Sequence, residues 1–373
     1  MKIVIIGGGI SGCAAYLQLK KHLHHPNTSS QHEMIICEAY DTDVNTTHED
    51  VEGQLYSPTL VVGGGFGLFL MVSVLKRFNE DILPDIIRGG YVIAHHKIKS
   101  KSGTLPLRTG KRMHMLGTSR HSLWSSLRRR IPDCNIQTKR VSRVVANDSG
   151  RNVVHFADGS LPVEVDLVMG ADGVKGITKR ALFPEQQICR PEYQGLVRVG
   201  GFVFASEVQG LVEKGSMNLV FGGNGFFGYF LSNSTSSALD NGSEYHVSEP
   251  GETLAWQLRE SHADWRDRVI QNILPSLRVR NMLLAALEDA EAFAILLSHT
   301  LCGVYQEDFV NTVTYKEAIS TAAKQYEAIR YPRVQAILEN AKRMQNYKRN
   351  MGPIAECIMM YSEQDIAFSE EGD

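Results

Sequence analysis

The sequence predicts an α/β fold: a Rossmann-like βαβ unit at the N-terminus, an inserted β-sheet domain, and a helical C-terminal region. Three observations carry this. Lys2-Ile3-Val4-Ile5-Ile6 is a continuous apolar run that breaks into Gly7-Gly8-Gly9 and then into a helical pattern, the order of a buried strand, a tight turn and a crossover helix. Residues from about Tyr193 to Tyr245 are rich in Gly, Phe and Val, which reads as a second sheet. From Thr253 onward Trp256, Leu258, Trp265, Ile270 and Ile273 recur at near-helical spacing.

The elements follow in order. Cys13 to Lys20 reads as the first helix and Glu33-Met34-Ile35-Ile36-Cys37-Glu38 as a second strand ending in an acid, so residues 1–38 form one βαβ unit. Asp41 to Gly53 is polar and acidic, a loop. Leu60 to Asn79 reads as a glycine-rich turn followed by a helix. Tyr91 to Gly117 alternates and carries turn residues, the pattern of antiparallel strands. Ser119 to Arg130 reads as a helix with Ser119 at its N-cap and Pro132 just past its end. Ile136–Val145, Asn152–Phe156 and Leu161–Val168 are short strands, with Asp158-Gly159 marking a hairpin. Asn281–Ser298, Thr314–Ile329 and Pro332–Tyr347 read as helices, and 365–373 as an acidic tail.

Composition bounds the function. The 373 residues are 43% hydrophobic and 21% charged, with a formal net charge of -2. That composition excludes a largely disordered chain, and the charge balance excludes a strongly basic nucleic-acid binder. The length suggests about two or three structural units. Six cysteines without Cys-x-x-Cys spacing give neither a zinc signal nor a disulfide scaffold. No metal site is expected, since Lys21-His22-Leu23-His24-His25 finds no acid or thiol at ligand spacing. The apolar stretches are too short or too glycine-rich for a signal peptide or a transmembrane segment, so a reducing, cytoplasmic location is expected.

Gly7-Gly8-Gly9-Ile10-Ser11-Gly12 is a G-x-G-x-x-G between strand and helix. A dinucleotide diphosphate needs backbone N–H groups at a helix N-terminus with no side chain in the way. Gly7 permits the tight turn, Gly9 lets the diphosphate approach, and Gly12 lets the helix pack on the strand. Glu38 is placed to accept hydrogen bonds from the adenosine ribose hydroxyls, and its charge argues against a 2′-phosphorylated dinucleotide here. The pattern alone does not separate FAD from NAD.

Further segments add specificity: Gly63-Gly64-Gly65-Phe66-Gly67-Leu68, Arg120-His121-Ser122-Leu123-Trp124 to Leu127, Gly170-Ala171-Asp172-Gly173, Ala286-Leu287-Glu288-Asp289-Ala290, and Tyr326-Glu327 with Arg330 to Val334. In this order they make the chain resemble the FAD-dependent aromatic-hydroxylase-type monooxygenases, the p-hydroxybenzoate and salicylate hydroxylase superfamily. The resemblance covers most of the chain and implies domains: an FAD-binding domain over 1–190 with small inserted strands at 91–117, a substrate-facing sheet over 191–250, and a helical part over 251–364 that completes the FAD domain.

It also implies roles. Arg120 would contact FAD near the pyrophosphate and ribityl chain, Asp172 would support the cofactor region and nicotinamide use, and Gly64 would approach the flavin by its backbone. NADH or NADPH would reduce FAD, and a flavin hydroperoxide formed with molecular oxygen would hydroxylate or epoxidise a small organic, aromatic or polycyclic substrate. No catalytic side chain is carried over: Val199-Gly200-Gly201 stands where many relatives have an arginine. The family's late Gly-Asp flavin motif is also missing, with Leu277-Arg278-Val279-Arg280-Asn281-Met282 in its place. Two other readings follow: a homologue with impaired flavin binding and no catalysis, and a NAD-dependent dehydrogenase using only the N-terminal fold.

Overall fold

The structure, a computed structural model, describes residues 1–23, 32–40, 48–49, 55–56, 65–67, 75, 78, 82–88, 90–102, 107–108, 115–147, 150–173, 176–183, 208–222, 225–231, 260, 262–273, 286–302 and 314–348. In chain order the strands are β1 (Lys2–Ile6), β2 (Glu33–Glu38), β3 (His48–Glu49), β4 (Leu55–Tyr56), β5 (Gly65–Gly67), β6 (Gly90–Ile93), β7 (His95–Ser100) and β8 (Leu107–Arg108). They continue as β9 (Met115–Ser119), β10 (Ile136–Thr138), β11 (Val141–Val145), β12 (Asn152–Phe156), β13 (Val163–Val165), β14 (Leu167–Gly170), β15 (Ser216–Gly222) and β16 (Gly225–Phe230). The helices are α1 (Ile10–His22), α2 (Ile82–Arg88), α3 (Arg120–Arg128), α4 (Lys179–Leu182), α5 (Arg268–Ile273), α6 (Ala286–Cys302) and α7 (Tyr315–Lys348).

A parallel sheet in the order β10-β2-β1-β14 forms the centre. β1 is buried on both faces, which is why it reads as an unbroken apolar run. Ile3 and Ile5 face a helical layer in which Tyr16 and Leu19 of α1, Trp124 of α3, Leu297 of α6 and Ala322 of α7 share one core. Val4 and Ile6 face the antiparallel sheet β11-β12-β13, packing with Val141, Val154, Phe156 and Val165. The central sheet is thus covered by helices on one side and by a second sheet on the other.

A further sheet has the order β16-β15-β7-β8. β7 lies parallel to β15, Ser216 opposite His95 through Phe221 opposite Ser100. The strands expected as a small insertion at 91–117 are therefore split. β7 and β8 join the sheet of residues 216–230, while β6 pairs with β9 and β9 with β5. One face of the larger sheet packs Val220, Phe227 and Tyr229 against Trp265, Val269 and Ile270. Along β7 and its exit Lys97, Lys99 and Lys101 alternate, and they pair with Glu213, Asp267 and Asp264.

Two local expectations are corrected. Gly65–Gly67 is a strand rather than part of a turn, because its pairing with Gly117–Ser119 places glycine beside glycine. Pro332 does not separate two helices: α7 runs 34 residues with Pro332 inside it. The helix starts on a capping box, in which Thr314 Oγ1 accepts from the Glu317 N–H and Glu317 Oε2 from the Thr314 N–H, at 3.3 and 2.8 Å. The carbonyl left without its donor by Pro332 is that of Ala328, an exposed residue, so water can satisfy it. No described helix is long and apolar enough to cross a membrane.

Candidate functional site: a glycine loop at the strand ends

The parallel sheet puts the carboxyl ends of β1, β2 and β14 together. The chain leaves β1 for β2 and β10 on one side, and β14 joins on the other. Open α/β sheets bind ligands in the crevice at such a switch point. Gly7, Glu38 and the Gly170-Ala171-Asp172-Gly173 turn meet there.

The three motif glycines have three distinct causes. Gly7 adopts φ 106°, and a Cβ on it would lie 2.5 Å from the Ala171 carbonyl oxygen. It is required by the turn and by the close passage of the β14 exit, where the Ala171 N–H donates to Ile6 O at 2.8 Å. A Cβ on Gly12 would lie 1.8 Å from Gly7 O, so Gly12 lets α1 settle onto β1. Gly9 has φ -71°, ψ -169°, a conformation open to any residue, and among the described residues its Cβ would meet nothing within 4 Å. Neither backbone strain nor crowding among the described residues requires a glycine at that position. The bare backbone at the N-terminus of α1 forms a cradle that fits a diphosphate.

Glu38 turns back onto this loop. Its Oε2 accepts the Gly8 N–H at 2.5 Å and its Oε1 the Tyr40 N–H at 3.1 Å. Each carboxylate oxygen retains a further lone-pair direction for a ribose hydroxyl. The thiols near the loop are neutral. Burial pushes Cys13 up to about 12 against the Arg128 charge, and its S–H points at Gly8 O at 3.3 Å. Burial likewise raises Cys37 to about 11, against Lys139. Neither thiol carries a charge that would repel an anion at neutral pH.

Asp172 is committed to its own turn. Its Oδ2 accepts the N–H groups of Ile177 and Thr178 at 2.7 and 3.0 Å, and its Oδ1 accepts the Thr178 hydroxyl at 2.6 Å. These bonds tie Asp172 to the segment that leads into α4.

Arg120 is the first residue of α3. One turn later Trp124, fully buried, donates Nε1–H to Gly8 O at 2.9 Å. Sequence reasoning missed Trp124; the only available signal was a large aromatic one turn after the candidate arginine. Gly64 lies outside the described residues, but Gly65 stands opposite Ser119 and so brings its segment to the start of α3. Residues 277–282, where the late motif is missing, also lie outside the described residues. In the sheet of residues 216–230, Phe227 and Tyr229 belong to the core against Trp265. Phe230 stands over Gly117, where a Cβ would come within 2.8 Å of its ring.

No protein-family model and no curated protein matches the sequence. Solved structures share its fold. Klebsiella pneumoniae HpxO, complexed with FAD and uric acid, is 16% identical over 97% of this chain and 92% of its own, with a TM-score of 0.62. CtdE in complex with FAD and a substrate is 16% identical over 94% and 90%, with a TM-score of 0.64. A protein of Photorhabdus luminescens described as a FAD-containing monooxygenase is 15% identical over 92% and 98%, with a TM-score of 0.59. The fold is that of the FAD-containing monooxygenases. At these identities the shared property is the architecture, and it agrees with the resemblance read from the motifs.

Proposed function

We propose that the chain is a FAD-dependent monooxygenase that takes electrons from NADH or NADPH. It would hydroxylate or epoxidise a small aromatic or polycyclic substrate with molecular oxygen. The observation that carries this is the Gly9 cradle: a glycine that packing among the described residues does not require, at a helix N-terminus, in a chain with this fold. When bound, FAD would supply hydride acceptance and oxygen activation, chemistry that side chains lack.

The chain's own residues bind and shield. The α1 N-terminus and the Gly9 backbone hold the diphosphate, and Glu38 accepts the ribose hydroxyls. Arg120, at the start of α3, lies on the helix tied to the loop and is the candidate for a further phosphate or ribityl contact. Met217, Leu219 and Phe230 alternate with the core-facing residues of β15 and β16, giving an apolar face suited to excluding water from the reaction.

The test is the visible spectrum of the purified protein. A yellow flavin band, bleached by NADH or NADPH without air and restored by air, supports the proposal. Turnover of an alcohol with NAD alone would replace it by a dehydrogenase. One observation favours a second reading, a homologue with impaired flavin binding: Leu277–Met282 stands where a flavin-contacting motif is expected. A protein that stays colourless with added FAD would establish that reading instead.

A further inference from the structure

We infer that Trp124 is a positioning residue that aims the Gly9 amide at the bound diphosphate, an inference that rests on the dinucleotide reading above. The peptide joining Gly8 and Gly9 has no side chain at either end. Glycine moves readily between backbone regions, so this unit is free to flip unless something holds it. The two orientations have opposite chemistry. One offers an N–H to the ligand; the other offers a carbonyl oxygen, which repels an anion.

The structure selects between them. The Gly8 carbonyl oxygen accepts the Trp124 Nε1–H at 2.9 Å and the Cys13 S–H at 3.3 Å, both in the buried interior. In a trans peptide the C=O and N–H point in opposite directions, and the described residues contain no cis peptide. Holding the carbonyl against α3 therefore directs the Gly9 N–H away from the core. Glu38 holds the other side of the residue by accepting the Gly8 N–H at 2.5 Å, so both backbone torsions of Gly8 are set. An indole N–H suits the task, since it donates only and cannot reverse its role. Because Trp124 lies one turn after Arg120 on α3, the same bond fixes the glycine loop and the helix that carries the candidate arginine to each other.

The test is calorimetric titration of the full-length apo-protein with FAD and, separately, with ADP, for the wild type and Trp124→Phe. Both are run below the melting temperature of each protein. The bond that sets the aim, Trp124 to Gly8, is a single neutral hydrogen bond, and realigning the peptide without it costs the ligand about that much, so both ligands should weaken about threefold to tenfold, and by the same factor because both carry the diphosphate. A residue that only packs the core would lower the melting temperature and leave these affinities unchanged in the folded protein; that result overturns the inference. So does a loss confined to FAD, which would place the effect at the flavin. Where Trp124→Phe does not fold, β-(3-benzothienyl)alanine at position 124 keeps the ring shape and removes only the donor, with the same outcomes. A wild-type protein that binds neither ligand fails the dinucleotide reading itself, before any variant is compared.

Discussion

Gly9→Ala should separate ligand binding from folding. The added methyl group meets nothing within 4 Å among the described residues, and φ -71°, ψ -169° suits alanine. Replacing glycine by alanine at a compatible position stabilises by about 0.4–1 kcal/mol, through the lower entropy of the unfolded chain. Gly9 is also the N-cap of α1, where glycine is preferred to alanine by up to about 1 kcal/mol, which offsets that gain, so the melting temperature of the apo-protein should stay within about 2 °C of the wild type. In the complex the same methyl group occupies the approach of the diphosphate. Losing one amide contact to a charged group costs about 1.5–3 kcal/mol, a tenfold to hundredfold weaker FAD affinity. Gly12→Ala is the control: its Cβ would lie 1.8 Å from Gly7 O, a backbone atom. Moving α1 off β1 costs at least about 1–3 kcal/mol, so its melting temperature should fall. Scanning calorimetry of both apo-variants with FAD titration of Gly9→Ala decides the matter. Wild-type FAD affinity in Gly9→Ala, or its failure to fold, would refute the assignment of Gly9 to the ligand.

Asp172→Ala removes the acceptor for two backbone N–H groups and a hydroxyl, so stability should drop by about 1–2 kcal/mol, read from the urea midpoint; an unchanged midpoint contradicts a structural role for these bonds. Asp267 gives a pH signature. Burial acts to raise its pKa, but the hydrogen bond and charge of Lys99 outweigh it and the net direction is downward. A carboxyl group lowered in the folded state contributes stability that is present above its unfolded pKa of about 4 and is lost as pH falls through the folded value. Asp267→Asn should be less stable at neutral pH and should show a shallower loss of stability below about pH 4. Parallel urea midpoints for wild type and variant across that range test this, and curves of identical shape contradict it.

What the sequence disclosed was local. β1, α1 and β2 are legible because an apolar run, three glycines and a terminal acid lie within 38 residues and each answers a backbone requirement of its neighbours. The turn at Gly7 and the close packing at Gly12 follow from the same reading. What stayed hidden depends on distant partners. The bond from Trp124 to Gly8 spans 116 residues, and no period or turn signal encodes it. The parallel pairing of β7 with β15 joins residues either side of an expected domain boundary, and alternation in either strand is silent about its neighbour. Arg128 stands in a run of three arginines that says nothing of burial, yet its side chain is buried and donates to Ile131 O and Asp133. Burial of that kind comes from the packing of α1 on α3, not from composition. The continuity of α7 across Pro332 was masked because proline reads as a stop, although its fixed φ is compatible with a helix when water can satisfy the carbonyl left without a partner.

The central claim is that a flavin dinucleotide lies with its diphosphate on the Gly9 backbone and its ribose on Glu38. The most direct measurement is a crystal structure of the full-length chain grown with FAD. The account predicts phosphate oxygens within hydrogen-bonding distance of the Gly9 amide, and ribose hydroxyls on the Glu38 carboxylate that already holds Gly8. FAD bound elsewhere, or a Gly9 amide turned inward beneath an ordered diphosphate, would contradict it.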